Sequence, residues 1–311
     1  MIQILTQSLV PIFVCLLFGY VAGWRNVVSN KNTKELVTFL MSFALPCALF
    51  ITIVQTSAGT LRTNTNSAVV LGLSYIFTFA VTYYAARLLR KDTAGESAVV
   101  ALTVGFPNMA GVGLPLLAAV YGAQANIFVA IGLTMGSVTI TPLTIAILES
   151  ASSAERNRPR VEVIRTALWR ALKKPVFWAP MLGVILVLLE LHVPAAFEKG
   201  LAILGNATEG AALFLTGLVA SAQRIRLSLD VGFTILIKSL LQPALSLGIA
   251  VMLGVPHDQA RYLILLSAVP SGFFGLLIGV DYGTKSEVAS SSLIATTVLG
   301  ILTLPVWIAL I

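Results

Sequence analysis

The stretch GFPNMAGVGLPLL, Gly105 to Leu117, decides how this chain is read. It lies inside an apolar run long enough to cross a bilayer, yet it carries two prolines and three glycines. Proline removes a backbone donor and clashes with the preceding turn, and glycine tolerates non-helical dihedrals. A helix drawn through this stretch is expected to break halfway across the membrane. The freed N–H and C=O groups cannot face lipid, where each costs several kcal/mol. They must be buried in protein or line a wet cavity.

The surrounding sequence has the composition of a membrane protein. Of 311 residues, 57% are hydrophobic and 11% are charged, and the mean hydropathy is +0.93. No soluble domain could cover that much apolar surface, so the solvent is lipid. At about 20 residues per span, ten spans are predicted: 5–24, 36–56, 67–88, 95–120, 124–148, 175–191, 200–221, 229–254, 261–280 and 287–311. The expected fold class is an all-α integral membrane protein. The first span lacks a basic region before it and has full spanning length, so it is not read as a cleavable signal peptide.

The net charge of +7 does not indicate nucleic acid. With the N-terminus placed outside, sixteen Lys and Arg residues fall in inner loops and three in outer ones, and Lys238 falls within a span. By the positive-inside rule, both termini are outside in a multi-pass protein of the cell membrane. Trp24, Trp169, Trp178 and Trp307 fall near span ends, as an aromatic belt requires. The longest polar loop runs from Glu149 to Lys174. It reads equally as a solvated linker or as holding a short surface helix from Val161 to Leu172.

Five spans lie on each side of that linker. The chain therefore divides into a first repeat (1–148), an inner linker (149–174) and a second repeat (175–311). An odd number of spans per half implies opposite insertion, as in many secondary transporters. Pro107 and Pro270 are 163 residues apart, as are Pro142 and Pro305, while Pro11 and Pro180 are 169 apart. Each pair joins equivalent spans of the two halves. Span nine reads AVPSGFFG, Ala268 to Gly275, again proline followed by glycine.

One interrupted helix is usually a structural kink. Two at matching places point instead to a binding site, formed where broken helices cross. Their half-helix N-termini would offer N–H groups and partial positive charge to a carboxylate or other small anion. Pro107, Asn108 and Gly111 form the candidate site in span four, with Pro270, Ser271 and Gly272 as counterparts in span nine. The Asn108 amide can donate to an anion or simply cap the second half-helix, and both roles stay open.

Only Glu209 and Lys238 look deeply embedded, with Asn206 one turn before the first and Gln242 one turn after the second. A charge at that depth costs about 2.5–3.5 kcal/mol on insertion scales and needs a partner or water. Three readings stay open: a structural ion pair, Lys238 balancing helix carbonyl ends or attracting the anion, and Glu209 carrying a coupling proton.

Other chemistry finds no support in the sequence. Asp92, Asp230, Asp258 and Asp281 sit at span ends, which disfavours a sodium/proton exchanger. There is no nucleotide-binding, zinc-hydrolase or serine-hydrolase motif, so neither an enzyme nor a cofactor is expected. Cys15 and Cys47 read as packed thiols, and His192 and His257 are too isolated for a metal site.

The run FPNMAGVGLPLLAAVYG, Phe106 to Gly122, resembles the fourth-span signature of the auxin efflux carrier family. FALPCALF (Phe43 to Phe50) resembles that family's second-span signature, GAALFLTGL (Gly210 to Leu218) its seventh, and AVPSGFFG its ninth-span crossover. The resemblance implies ten spans in two inverted repeats with helices four and nine broken and crossing, usually as a homodimer. It also implies export or exchange of organic anions by an elevator-like movement. By position it assigns Pro107, Asn108 and Pro270 to the crossover, with Asn108 touching substrate, and finds Lys238 five residues before Pro243. The linker here is short, as in bacterial members described as carriers of malonate or related carboxylates.

The expected function is thus secondary transport of a mono- or dicarboxylate, coupled to protons or by exchange. The rivals are a sodium-coupled symporter of the bile-acid carrier type and a membrane ligand sensor that moves nothing.

Overall fold

A computed structural model describes residues 2–29, 33–56, 58–122, 125–151, 169, 173, 175–222 and 228–311. Apart from Trp169, the Val161–Leu172 surface helix lies outside these residues, as does most of the 149–174 linker. The described chain is helical, without a named strand.

In the first half, α1 spans Ile2–Trp24. Next come α2 (Lys34–Phe39) and α3 (Leu45–Val54), then α4 (Ala58–Thr63), α5 (Thr65–Leu89) and α6 (Ala94–Gly105). The half closes with α7 (Leu114–Tyr121), α8 (Asn126–Val138) and α9 (Ile140–Ser150). The second half has α10 (Pro175–Leu188), α11 (Ala195–Ala220), α12 (Leu229–Leu236), α13 (Gln242–Met252), α14 (His257–Ala268), α15 (Phe274–Asp281) and α16 (Glu287–Leu310).

Among the described residues, six helical stretches are long and apolar enough to cross a membrane: Lys34–Val54, Thr65–Leu89, Ile127–Ser150, Ala195–Ala220, Leu229–Met252 and Glu287–Leu310. They coincide with predicted spans two, three, five, seven, eight and ten. Spans one and six fall on α1 and α10, which contain shorter apolar helices (Val10–Trp24 and Trp178–Leu188). Span four falls on two short helices, α6 and α7, and span nine on α14 and α15.

Proline explains much of the local geometry. Three π-helical turns, Leu40–Ala44, Met109–Gly113 and Ile237–Leu241, each end two residues before a proline: Pro46, Pro115 and Pro243. The wider turn accommodates the ring, whose missing N–H leaves a carbonyl four residues earlier without its helical donor. Before Pro243 that carbonyl is Ser239 O, and it accepts a 2.8 Å hydrogen bond from Trp307 Nε1. The start of α6 is fixed differently, by a capping box in which Thr93 and Glu96 satisfy each other's backbone N–H.

The helices form two groups. In one, α1 packs along α11, and α10 and α11 pack along α3. Small residues bring α1 and α11 into backbone contact. A Cβ on Gly19 would stand 1.9 Å from Phe214 O, and one on Gly217 would stand 2.0 Å from Leu16 O. The other group is built on α5, α6, α9 and α12–α16, with α8 facing the first group through α3 and α10. Cys15 and Cys47 are free thiols.

Candidate functional site

The helical path of α6 stops at Gly105, because Phe106 adopts an extended conformation (φ −102°, ψ 101°) ahead of Pro107. The path of α14 stops in the same way at Val269 (φ −60°, ψ 153°) ahead of Pro270. The two extended stretches meet, and Pro107 and Ser271 pair as an isolated antiparallel bridge. Asn108 N–H donates to Pro270 O at 2.9 Å and Gly272 N–H donates to Phe106 O at 2.9 Å. Ser271 N–H reaches Thr296 Oγ1 at 3.2 Å. Asn108 N–H and Phe106 O, both lost to the helix, are thus satisfied across 162 and 166 residues of sequence.

The sequence leads one to expect half-helix N–H groups open to an anion; the N–H groups of Asn108, Ser271 and Gly272, at the crossing itself, each have a protein acceptor. Pairing wins because a bare amide at this depth would cost more than the strand-like contact that satisfies it. Glycine is required at 272, where a Cβ would stand 2.4 Å from Phe106 O.

Asn108 is buried, and its Oδ1 caps Gly111 N–H at 3.2 Å. With the oxygen so used, the amide nitrogen is the side chain's remaining donor. The crossing is held from below by an aromatic stack, with the Phe106 and Phe274 rings 4.5 Å apart and Tyr75 at 6.1 Å from Phe106. Gly136 leaves room for Phe106, since a Cβ there would stand 2.5 Å from the ring.

Lys238 is fully buried in a π-helical turn. Its Nζ donates to Gln242 Oε1 at 2.5 Å and to Ser267 O at 2.7 Å, while Gln242 Nε2 donates to Gly105 O at 2.8 Å. Gly105 closes α6 and Ser267 lies in the last turn of α14. One cation and one amide therefore serve the partly negative C-terminal ends of both interrupted helices. Behind them, Ser246 Oγ lies 2.6 Å from Ser267 Oγ and 3.0 Å from Ser74 Oγ. The three serines escaped sequence reasoning, although Lys238, Gln242 and Ser246 recur every four residues, a signal of one polar helix face.

No ion pair joins Lys238 to Glu209 among the described residues. Glu209 and Asn206 instead line a cavity of about 830 Å³ between the two helix groups. Its walls come from α3, α8, α11, Leu114 at the start of α7, and Phe273 and Phe274 at the start of α15, with Thr52, Gln55, Thr56 and Thr208 as further polar groups. The cavity adjoins the crossing through Gly111, where a Cβ would stand 2.2 Å from Glu209 Oε1 and 3.0 Å from Asn108 Oδ1. Pro107, Asn108, Gly111, Pro270, Ser271 and Gly272 do not themselves line it. Ser271 Oγ is buried without a hydrogen-bond partner among the described residues.

Comparison with known proteins gives the family. Residues 4–308 match the model of a family described as membrane transport protein. The chain belongs to that family. It is a multi-pass membrane transporter, and the resemblance to auxin efflux carriers extends over its whole length. It is 28% identical to the "Uncharacterized transporter YfdV" of Escherichia coli, over 99% of this chain and 98% of that protein. It is 25% identical to a "Putative malonate transporter" of Rhizobium meliloti, over 96% and 93%. It is 22% identical to auxin efflux carrier component 5 of Arabidopsis thaliana, over 93% and 91%.

Proposed function

We propose that this family member is a secondary active transporter of small organic anions, mono- or dicarboxylates of the malonate or auxin type. In this reading the chain forms ten spans in two inverted five-span repeats. Spans four and nine are the crossing pairs α6–α7 and α14–α15. The substrate enters the cavity beside the crossing. Its carboxylate takes the free amide nitrogen of Asn108, and Lys238 offsets the carbonyl ends of the interrupted helices. The cavity lies between two helix groups, which supports an elevator-type movement of the crossing group against the other. Proton coupling or exchange drives it, in a homodimer of the cell membrane with both termini outside.

One observation carries this reading: two interruptions from opposite halves are hydrogen-bonded to each other beside a largely apolar cavity of about 830 Å³ that holds a few polar groups. A merely kinked helix needs no partner break and opens on no cavity. The relatives' printed names support the substrate class.

The test is uptake into proteoliposomes across a carboxylate panel, with proton and sodium gradients imposed separately. Accumulation of malonate or a related acid under a proton gradient, or by counterflow, is expected. Flux that follows sodium and ignores pH would favour the symporter reading. Binding without accumulation in any condition would favour a sensor.

A further inference from the structure

We propose that Glu209 is the proton-binding group of this transporter, taking up one proton when the substrate anion enters. The inference rests on the anion-transport reading above and adds the residue through which protons enter the cycle.

Glu209 is the one ionisable side chain in the described cavity lining. The other polar groups there, Thr52, Gln55, Thr56, Asn206 and Thr208, are neutral. Lys238 cannot supply a counter-charge, because it is fully buried on the far side of the crossing and committed to Gln242 and Ser267. An anion entering the cavity therefore meets a carboxylate, whose Oε1 stands 2.2 Å from a Cβ built on Gly111, the residue that Asn108 caps. Two negative charges in a partly desolvated cavity repel strongly. A proton on Glu209 removes the repulsion and turns one carboxyl oxygen into a hydrogen-bond donor for the anion. The balance is simple: one carboxylate, one proton and one anion give a neutral carboxylic acid hydrogen-bonded to the bound anion. On release the proton leaves with the substrate.

The residue also stands against the crossing. Glu209 belongs to α11, in the group of α1, α3 and α10, and its carboxyl reaches the turn at Gly111 that follows the first break. Charge at this contact is thus sensed at the crossing.

Other titratable groups on the elements packed against α11 stand apart from the cavity lining. They are Cys15 and Tyr20 on α1, Cys47 on α3, Asp281 at the end of α15 and Glu287 at the start of α16, with Glu198 and Lys199 on α11 itself.

The experiment uses the full-length protein in lipid nanodiscs with malonate as probe. Calorimetry in buffers of different ionisation enthalpy counts protons taken up per malonate, and comparing variants cancels malonate's own titration. Wild type is expected to take up about one proton more than Glu209→Gln above neutral pH, and its Kd to rise up to about tenfold more steeply per pH unit. Infrared difference spectra of wild type with ¹³C-malonate provide a second readout that needs no variant. A protonated-carboxyl band not shifted by the label should grow on binding. Equal proton counts in the two proteins, or no such band, would overturn the assignment of Glu209 alone. Failure of wild type to bind malonate or any other acid of the panel would instead remove the transport reading beneath it.

Discussion

Lys238 Nζ lies 2.7 Å from the carbonyl oxygen of Ser267, in the last turn of the helix that ends at the second break. Through Gln242 the same side chain reaches Gly105 O at the first break. An amine donor buried against helix carbonyl ends is costly to remove, since each buried carbonyl left without its hydrogen bond loses about 1–3 kcal/mol.

Replacing Lys238 by methionine keeps much of the side-chain volume and removes both bonds. The expected cost is about 3 kcal/mol or more, read as a lowered thermal midpoint in detergent, together with loss of transport. A midpoint equal to wild type would mean that the ammonium does not hold the crossing together.

Asn108 uses its amide oxygen as a cap, and among the described residues its amide nitrogen has no hydrogen-bond partner. Asn108→Asp keeps an acceptor for Gly111 N–H but removes the donor and adds negative charge. The variant should fold with a near-native midpoint and bind malonate at least about tenfold more weakly, a loss of 1.4 kcal/mol or more. Unchanged affinity would leave Asn108 with only a capping role.

Gly272 sits where any Cβ would stand 2.4 Å from Phe106 O, a backbone atom. Gly272→Ala must push the two extended stretches apart and strain the Pro107–Ser271 pairing. We expect a stability loss of about 1–3 kcal/mol by overpacking and a larger fractional loss of transport than of folded protein. Transport at wild-type rate would show that the close crossing is dispensable.

The same principle separates glycines along α11. Gly217 meets Leu16 O at 2.0 Å from its virtual Cβ, whereas Gly200 has nothing within 4 Å. Gly217→Ala should lower the midpoint by separating α1 from α11. Gly200→Ala should raise stability by up to about 1 kcal/mol through helix propensity. Equal effects of the two in thermal unfolding would contradict the packing described here.

Much of this site could be read from residue type alone. Proline and glycine punctuation located the interruptions at residues 106–108 and 269–273, because those residues act on their own backbone. Lys238 stood out because an ammonium in an apolar run is costly and rare. What could not be read was pairing at long range. Nothing local reveals that Asn108 N–H would meet Pro270 O or that Gly272 N–H would meet Phe106 O. Ser74, Ser246 and Ser267 were hidden for another reason: a serine in a membrane helix usually bonds its own preceding turn and signals nothing. Glu209 and Lys238 looked alike in sequence. The fold separates them, placing one in a cavity wall and the other in a sealed polar network.

The central claim is that a carboxylate binds in the cavity between the helix groups, against the crossing. The most direct measurement is anomalous diffraction from crystals of the protein grown with bromomalonate. A bromine peak in the cavity lined by Asn206 and Glu209, with a substrate carboxylate within hydrogen-bond distance of Asn108 Nδ2, is the predicted result. A peak elsewhere in the molecule, in protein that transports bromomalonate, would contradict the account.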